Sequence, residues 1–205
     1  MKHFTPQNSL NFNDVKTNFA LAFQRIWQTR RHQAPGPWTL QQTENFLQAS
    51  EMALFDGHHE IASFQVVVAP KGASKTTSAA ALVYAIIASD PCSSVVVALP
   101  EIKLVEEFRL ELLKHGLVSE KDLGVWTTAH ALEKSNAEIL ALCGWVAPVR
   151  YLKGDLNTRR VILLTHKTYS EHLTSRLYRG KRRTLTIIDE KPDEAGVFSA
   201  RPSTI

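Results

Sequence analysis

Four short runs of apolar and β-branched residues, FQVVVA (64–69), SVVVAL (94–99), RVILLT (160–165) and TLTIID (184–189), constrain this chain most. Each is near-continuous rather than alternating, the mark of a strand buried on both faces, and such strands belong to parallel sheets covered by helices. Helical segments separate them. TTSAAALVYAIIAS (76–89) is one, and after Pro100 the residues Ile102, Val105, Phe108 and Leu112 share a face, with Gly116 where a C-cap belongs. HALEKSNAEILALC (130–143) and KTYSEHLTSRLY (167–178) read as two more helices, and LGVWT (123–127) as a weaker strand. Strand alternating with helix predicts an α/β fold on a mainly parallel sheet, with ligands at the strands' carboxyl ends.

The segment ahead of this pattern is helical. Val15, Phe19, Ala22, Phe23 and Ile26 recur at helical spacing over 12–31, and two prolines and a glycine then break the chain at 35–37. A second helix follows, with Thr39 and Gln42 at capping-box spacing. The expected organisation is an N-terminal helical extension over 1–37 and an α/β lobe over 38–205.

Two cysteines, Cys92 and Cys143, make no disulfide framework, which fits a reducing compartment. No apolar run approaches the ~18 residues of a membrane span, and the first fourteen residues lack a signal peptide's apolar core. A soluble, cytoplasmic protein is expected. Charge is unevenly spread: residues 150–183 hold ten cations against two acids, leaving the rest of the chain net negative. Such a cluster suits a polyanion, because each neutralised phosphate releases counterions, or else it is a solvated basic surface.

The residues that carry chemistry stand at the ends of the buried runs. Gly72, Ala73, Ser74, Lys75, Thr76 and Thr77 lie after FQVVVA and at the start of a helix. A phosphate-binding loop needs that context: small residues let backbone N–H groups close on the phosphates, and the helix N-terminus adds its positive dipole end. Lys75 then supplies charge to the β/γ-phosphates, and the Thr76 hydroxyl a ligand for Mg²⁺. An ordinary strand-to-helix turn is the alternative. Asp189 and Glu190 close TLTIID as adjacent carboxylates. In an ATPase of this design one holds Mg²⁺ and the other polarises the attacking water.

Together these residues resemble the first RecA-like lobe of superfamily 2 helicases, the DEAD/DEAH-box and type III restriction-subunit relatives. APKGASKT looks like motif I, VVVALPEIKLVEEF like motif Ia, VILLTHKTYSEHL like motif Ib and TIIDEKPD like motif II. The resemblance implies a RecA-like P-loop three-layer sandwich binding ATP and Mg²⁺. Lys75 and Thr76 would bind phosphate and metal, Asp189 would bind Mg²⁺, and Glu190 would be the catalytic base. Pro100, Glu101, Thr165 and His166 would follow a nucleic-acid backbone, joined by the basic Arg182 and Arg183. Gln42, or Gln41, would read the adenine. DNA is favoured over RNA as the partner.

The sequence departs from that pattern in places. Ser74 replaces the glycine before the lysine, and Ala69 stands at the first loop position. Lys191 and Pro192 follow Asp189-Glu190, and nothing after them matches motif III or a second lobe with its arginine finger. The implied sheet is therefore incomplete and the isolated chain a poor hydrolase. The alternatives are another P-loop motor, such as a phage terminase-type ATPase, or a degenerate lobe that binds nucleic acid without turnover. No metal-ligand spacing of the CxxC or HExxH kind is present.

Overall fold

The computed structural model describes residues 10–55, 65, 67, 74–128 and 156–189. In chain order these form α1 (Phe12–Arg31), α2 (Pro37–Phe55), α3 (Lys75–Ser89), β1 (Val95–Leu99), α4 (Ile102–Lys114), β2 (Leu123–Trp126) and β3 (Val161–Thr165). They are followed by α5 (His166–Glu171), a 3₁₀ turn (Leu173–Arg176), β4 (Leu177–Tyr178), β5 (Lys181–Arg182) and β6 (Leu185–Ile188). The expected strand 64–69 and helix 130–143 lie outside the described residues.

The valine run becomes the heart of a four-stranded sheet of order β2-β3-β1-β6, parallel throughout. This is the α/β architecture that the strand–helix alternation predicts. Period-two geometry divides the strands between two cores. Val95, Val97, Leu99, Leu123, Val125, Val161 and Leu163 face α3 and α4, whereas Val96, Ala98, Ile162 and Leu164 face Leu156, with Trp126 and Tyr169 packed at the margin. Every β1 residue is buried. Each fully buried aliphatic side chain of this kind contributes about 1.5–3 kcal/mol relative to exposure. On the second face Gly124 lets Leu156 and Arg159 approach, since a Cβ there would lie 2.7 Å from Leu156 Cδ2.

Apolar almost all round, α3 is sandwiched, consistent with its run of buried alanines. Its outer side takes α1, whose Val15, Phe19, Ala22, Phe23 and Ile26 are all buried, as the spacing predicts. Phe19 stacks on Phe23 at 6.0 Å and on Phe46 of α2 at 6.5 Å between ring centroids. Helix α4 closes on Gly116 at φ 58°, with Gly116 N–H bonded to Leu113 O and Leu117 N–H to Leu112 O, the Schellman pattern.

Two local expectations need correcting. Helix α2 begins at Pro37, so Thr39 is inside it and accepts at its carbonyl from the Thr43 hydroxyl rather than capping. Proline at the first helical position needs no amide partner, and that sets the earlier start. The segment 167–178 is not one helix. It ends at Glu171 and gives way to the 3₁₀ turn and an antiparallel hairpin, in which Tyr178 pairs with Lys181 around Arg179 (φ 49°) and Gly180 (φ 79°). Positive φ at both central residues is the hairpin turn whose twist matches its strands.

Candidate nucleotide and nucleic-acid site

Three strand ends converge at the carboxyl edge of the sheet. Leu99 pairs with Thr165, and Ala98 pairs with Ile188. One residue further, Asp189 N–H donates to Ala98 O at 3.0 Å and carries the β1–β6 ladder past the end of β6. Asp189, Leu99 and Thr165 thus form a row across adjacent strands, about 4.8 Å apart. Pro100, Glu101 and His166 stand just beyond it. Thr165 caps α5, its hydroxyl accepting from Thr168 N–H, and this turns His166 back across the edge. The His166 Nε2 lies 2.9 Å from Asp189 O. A carbonyl can only accept, so Nε2 carries the proton. Residues expected in motifs Ia, Ib and II are therefore neighbours, and His166 and Asp189 are directly bonded.

Helix α3 runs back against the strands. Arg160, immediately before β3, donates to Ile87 O at 2.7 Å and to Asp90 O at 2.6 Å at the helix's C-terminal end. The other end, with Ser74, Lys75 and Thr76, is therefore directed toward the carboxyl edge. Ser74 stands at φ 61°, ψ 22°, without a side-chain cap, while its carbonyl accepts from Ser78 N–H. The sequence pattern has glycine at this position, and the backbone keeps the left-handed conformation that glycine adopts without strain. A non-glycine residue there costs roughly 1–2 kcal/mol. Ser74→Gly should accordingly raise stability by about 0.5–1 kcal/mol, after allowance for the looser unfolded chain. Denaturant unfolding checks this, and a loss of stability would mean that the serine side chain is required.

Lys75 is half-buried and Thr76 exposed, while Gly72, Ala73 and Glu190 lie outside the described residues. Thr77 is buried, and its hydroxyl accepts from Arg30 Nη1 of α1 at 3.2 Å. Arg30 Nε lies 2.9 Å from Glu111 of α4, and the same carboxylate is 3.1 Å from Nε2 of buried His115. Arg30 thus braces the first turn of α3. Sequence reasoning missed it, for an arginine in the last turn of an amphipathic helix carries no such signal. Gln42 is half-buried on α2, and the exposed Gln41 donates to Asn45.

Three cations of the basic segment, Arg159, Arg160 and Arg183, bond backbone carbonyls of this chain. Arg159 donates to Lys121 O, and Arg160 donates to Ser93 O as well as to the end of α3. Arg183 is buried, and its guanidinium donates to Ser175 O, Arg159 O and Arg160 O at 3.0 Å and to Leu156 O at 3.3 Å. Burial pushes its pKa down to about 10, opposed by Tyr178. Arg183 therefore leaves the expected nucleic-acid set: it is a buried clasp on carbonyls. Arg182 is exposed but stands before β6, at the amino edge, where Thr184 N–H bonds Ser94 O. About five residues of strand, some 16 Å, separate that edge from Thr165 and His166.

Among the described residues no helix is long and apolar enough to cross a membrane, and no group of three or more His, Cys, Asp or Glu side chains could hold a metal. No protein-family model, curated protein or solved structure matches this chain.

Proposed function

We propose that this chain is the ATP-binding lobe of a nucleic-acid-dependent ATPase of the superfamily 2 helicase type, RecA-like in fold, which couples hydrolysis to movement along or remodelling of DNA or RNA. The observation that carries the reading is the convergence at one sheet edge of Leu99, of Thr165 with His166, and of Asp189, which come from three different motif-like segments of the sequence. The left-handed Ser74 ahead of Lys75 and Thr76 supports it, because this residue keeps a glycine-like backbone where the phosphate-loop pattern asks for glycine.

In this reading backbone N–H groups of 72–77 and the Lys75 ammonium hold the phosphates. Mg²⁺ fits the residues present: it keeps several waters and takes one or two carboxylates plus phosphate oxygens, so Thr76 and Asp189 suffice beside the nucleotide. When bound, it neutralises charge on the transferring phosphoryl group. Glu190 acts as the base toward water, and His166, bonded to the Asp189 carbonyl, ties that strand end to the nucleic-acid side.

Competition tests the reading. A fluorescent ATP analogue bound to the chain should be displaced by ATP at least about tenfold better than by AMP, since the charge-assisted bonds to the β/γ-phosphates contribute about 1.5–3 kcal/mol each. Equal displacement by AMP would contradict a phosphate loop.

A further inference from the structure

The hairpin β4–β5 hangs from the amino edge, away from the row of Asp189, Leu99 and Thr165. Two two-residue strands would not hold shape alone in water. Here they are mounted: Arg183 N–H bonds Arg176 O, Arg179 N–H bonds Asn157 O, and the buried Arg183 guanidinium grips four carbonyls beneath. The mount presents Arg179, Lys181 and Arg182, all exposed, within four residues. Arg179 lies over the Tyr178 ring at 5.2 Å and holds a positive φ at a turn position that favours asparagine or glycine. From His172 to Ile188 the chain has five cations and no carboxylate.

We propose that this hairpin is a second nucleic-acid contact, engaging the phosphate backbone at the amino edge and separate from the carboxyl-edge residues. The choice of nucleic acid as the polyanion rests on the function proposed above. The geometry favours phosphates for two reasons. Guanidinium forks match phosphate oxygens bidentately and their planes can stack on bases. Cations fixed by a rigid mount lose less entropy on binding than cations on a mobile tail. The tip, Arg-Gly-Lys-Arg, offers no apolar side chain to insert into a bilayer.

The test uses the whole chain without nucleotide. Fluorescence anisotropy follows labelled single-stranded and duplex oligonucleotides of unrelated sequence over a salt series, comparing wild type with the triple variant Arg179→Asn, Lys181→Gln, Arg182→Gln. Asparagine suits the left-handed turn and the three positions are exposed, so the variant should melt like wild type. The expected result is a salt slope shallower by about 0.7–0.9 per lost phosphate contact, and binding at least about tenfold weaker at low salt, alike for all sequences. Unchanged slope and affinity, no oligonucleotide binding by wild type, or binding only to phosphatidylserine vesicles would each overturn the proposal. Failure here leaves the ATP competition result untouched, and failure there leaves this slope untouched.

Discussion

Arg183→Ala is expected to destabilise the fold by about 2–4 kcal/mol, a large share of the ~5–15 kcal/mol that holds a domain together. The reason is the number of groups one guanidinium satisfies. Four carbonyls, on Leu156, Arg159, Arg160 and Ser175, receive its N–H groups where the 3₁₀ turn, the segment before β3 and the segment before β6 meet. Alanine leaves these acceptors to water or to nothing. Arg183→Lys should recover only part of the loss, because an ammonium is a point charge and cannot span the same fork of acceptors.

The pH behaviour of this group follows from its direction of shift. A folded pKa of about 10, lowered by burial from the ordinary guanidinium range, means that the folded state releases the proton first as pH rises. Any stability gained from that release therefore comes only in the strongly alkaline range above the folded value. Near neutral pH Arg183 is a cation in both states, its desolvation is a constant cost, and it gives stability no pH dependence there. Urea unfolding of wild type, Arg183→Ala and Arg183→Lys checks the ranking. A loss below about 0.5 kcal/mol for alanine would return Arg183 to the class of surface residues, whose substitutions fall within that range.

The contrast between Arg182 and Arg183 explains what sequence can and cannot reveal here. Adjacent arginines in a basic run look alike as composition, and a solvated patch and an internal clasp call for the same residue type. Only the strand register, which brings Leu156 O and Arg160 O to one point, tells them apart. Periodicity was more informative. The bounds of α1 and the burial of β1 and β3 follow from apolar spacing, because those segments have one face or both faces to bury and no competing turn chemistry. The hairpin was hidden for the opposite reason. Tyr169, Leu173 and Leu177 keep a helical spacing through 167–178, and Arg179-Gly180 lacks the Asn-Gly or Asp-Gly signature of its turn. At the candidate site the row of Asp189, Leu99 and Thr165 was legible as three strand ends. The brace from Arg30 to Thr77 was not, since it joins residues 47 apart in sequence.

Lys75→Ala is the second large effect expected. It removes the one positive side chain among residues 72–77 while leaving a good helix former at the first position of α3, so the fold should persist. The lost interaction is a charge-assisted bond to phosphate, about 1.5–3 kcal/mol, or roughly a tenfold to hundredfold drop in affinity. The most direct measurement is therefore a titration of a fluorescent ATP analogue, with Mg²⁺ present, against wild type and Lys75→Ala, with circular dichroism confirming that both are folded. The account predicts saturable binding by wild type and binding at least about tenfold weaker by the variant. Equal affinities in two folded proteins, or no binding by wild type, would contradict the assignment of residues 72–77 as a phosphate-binding loop.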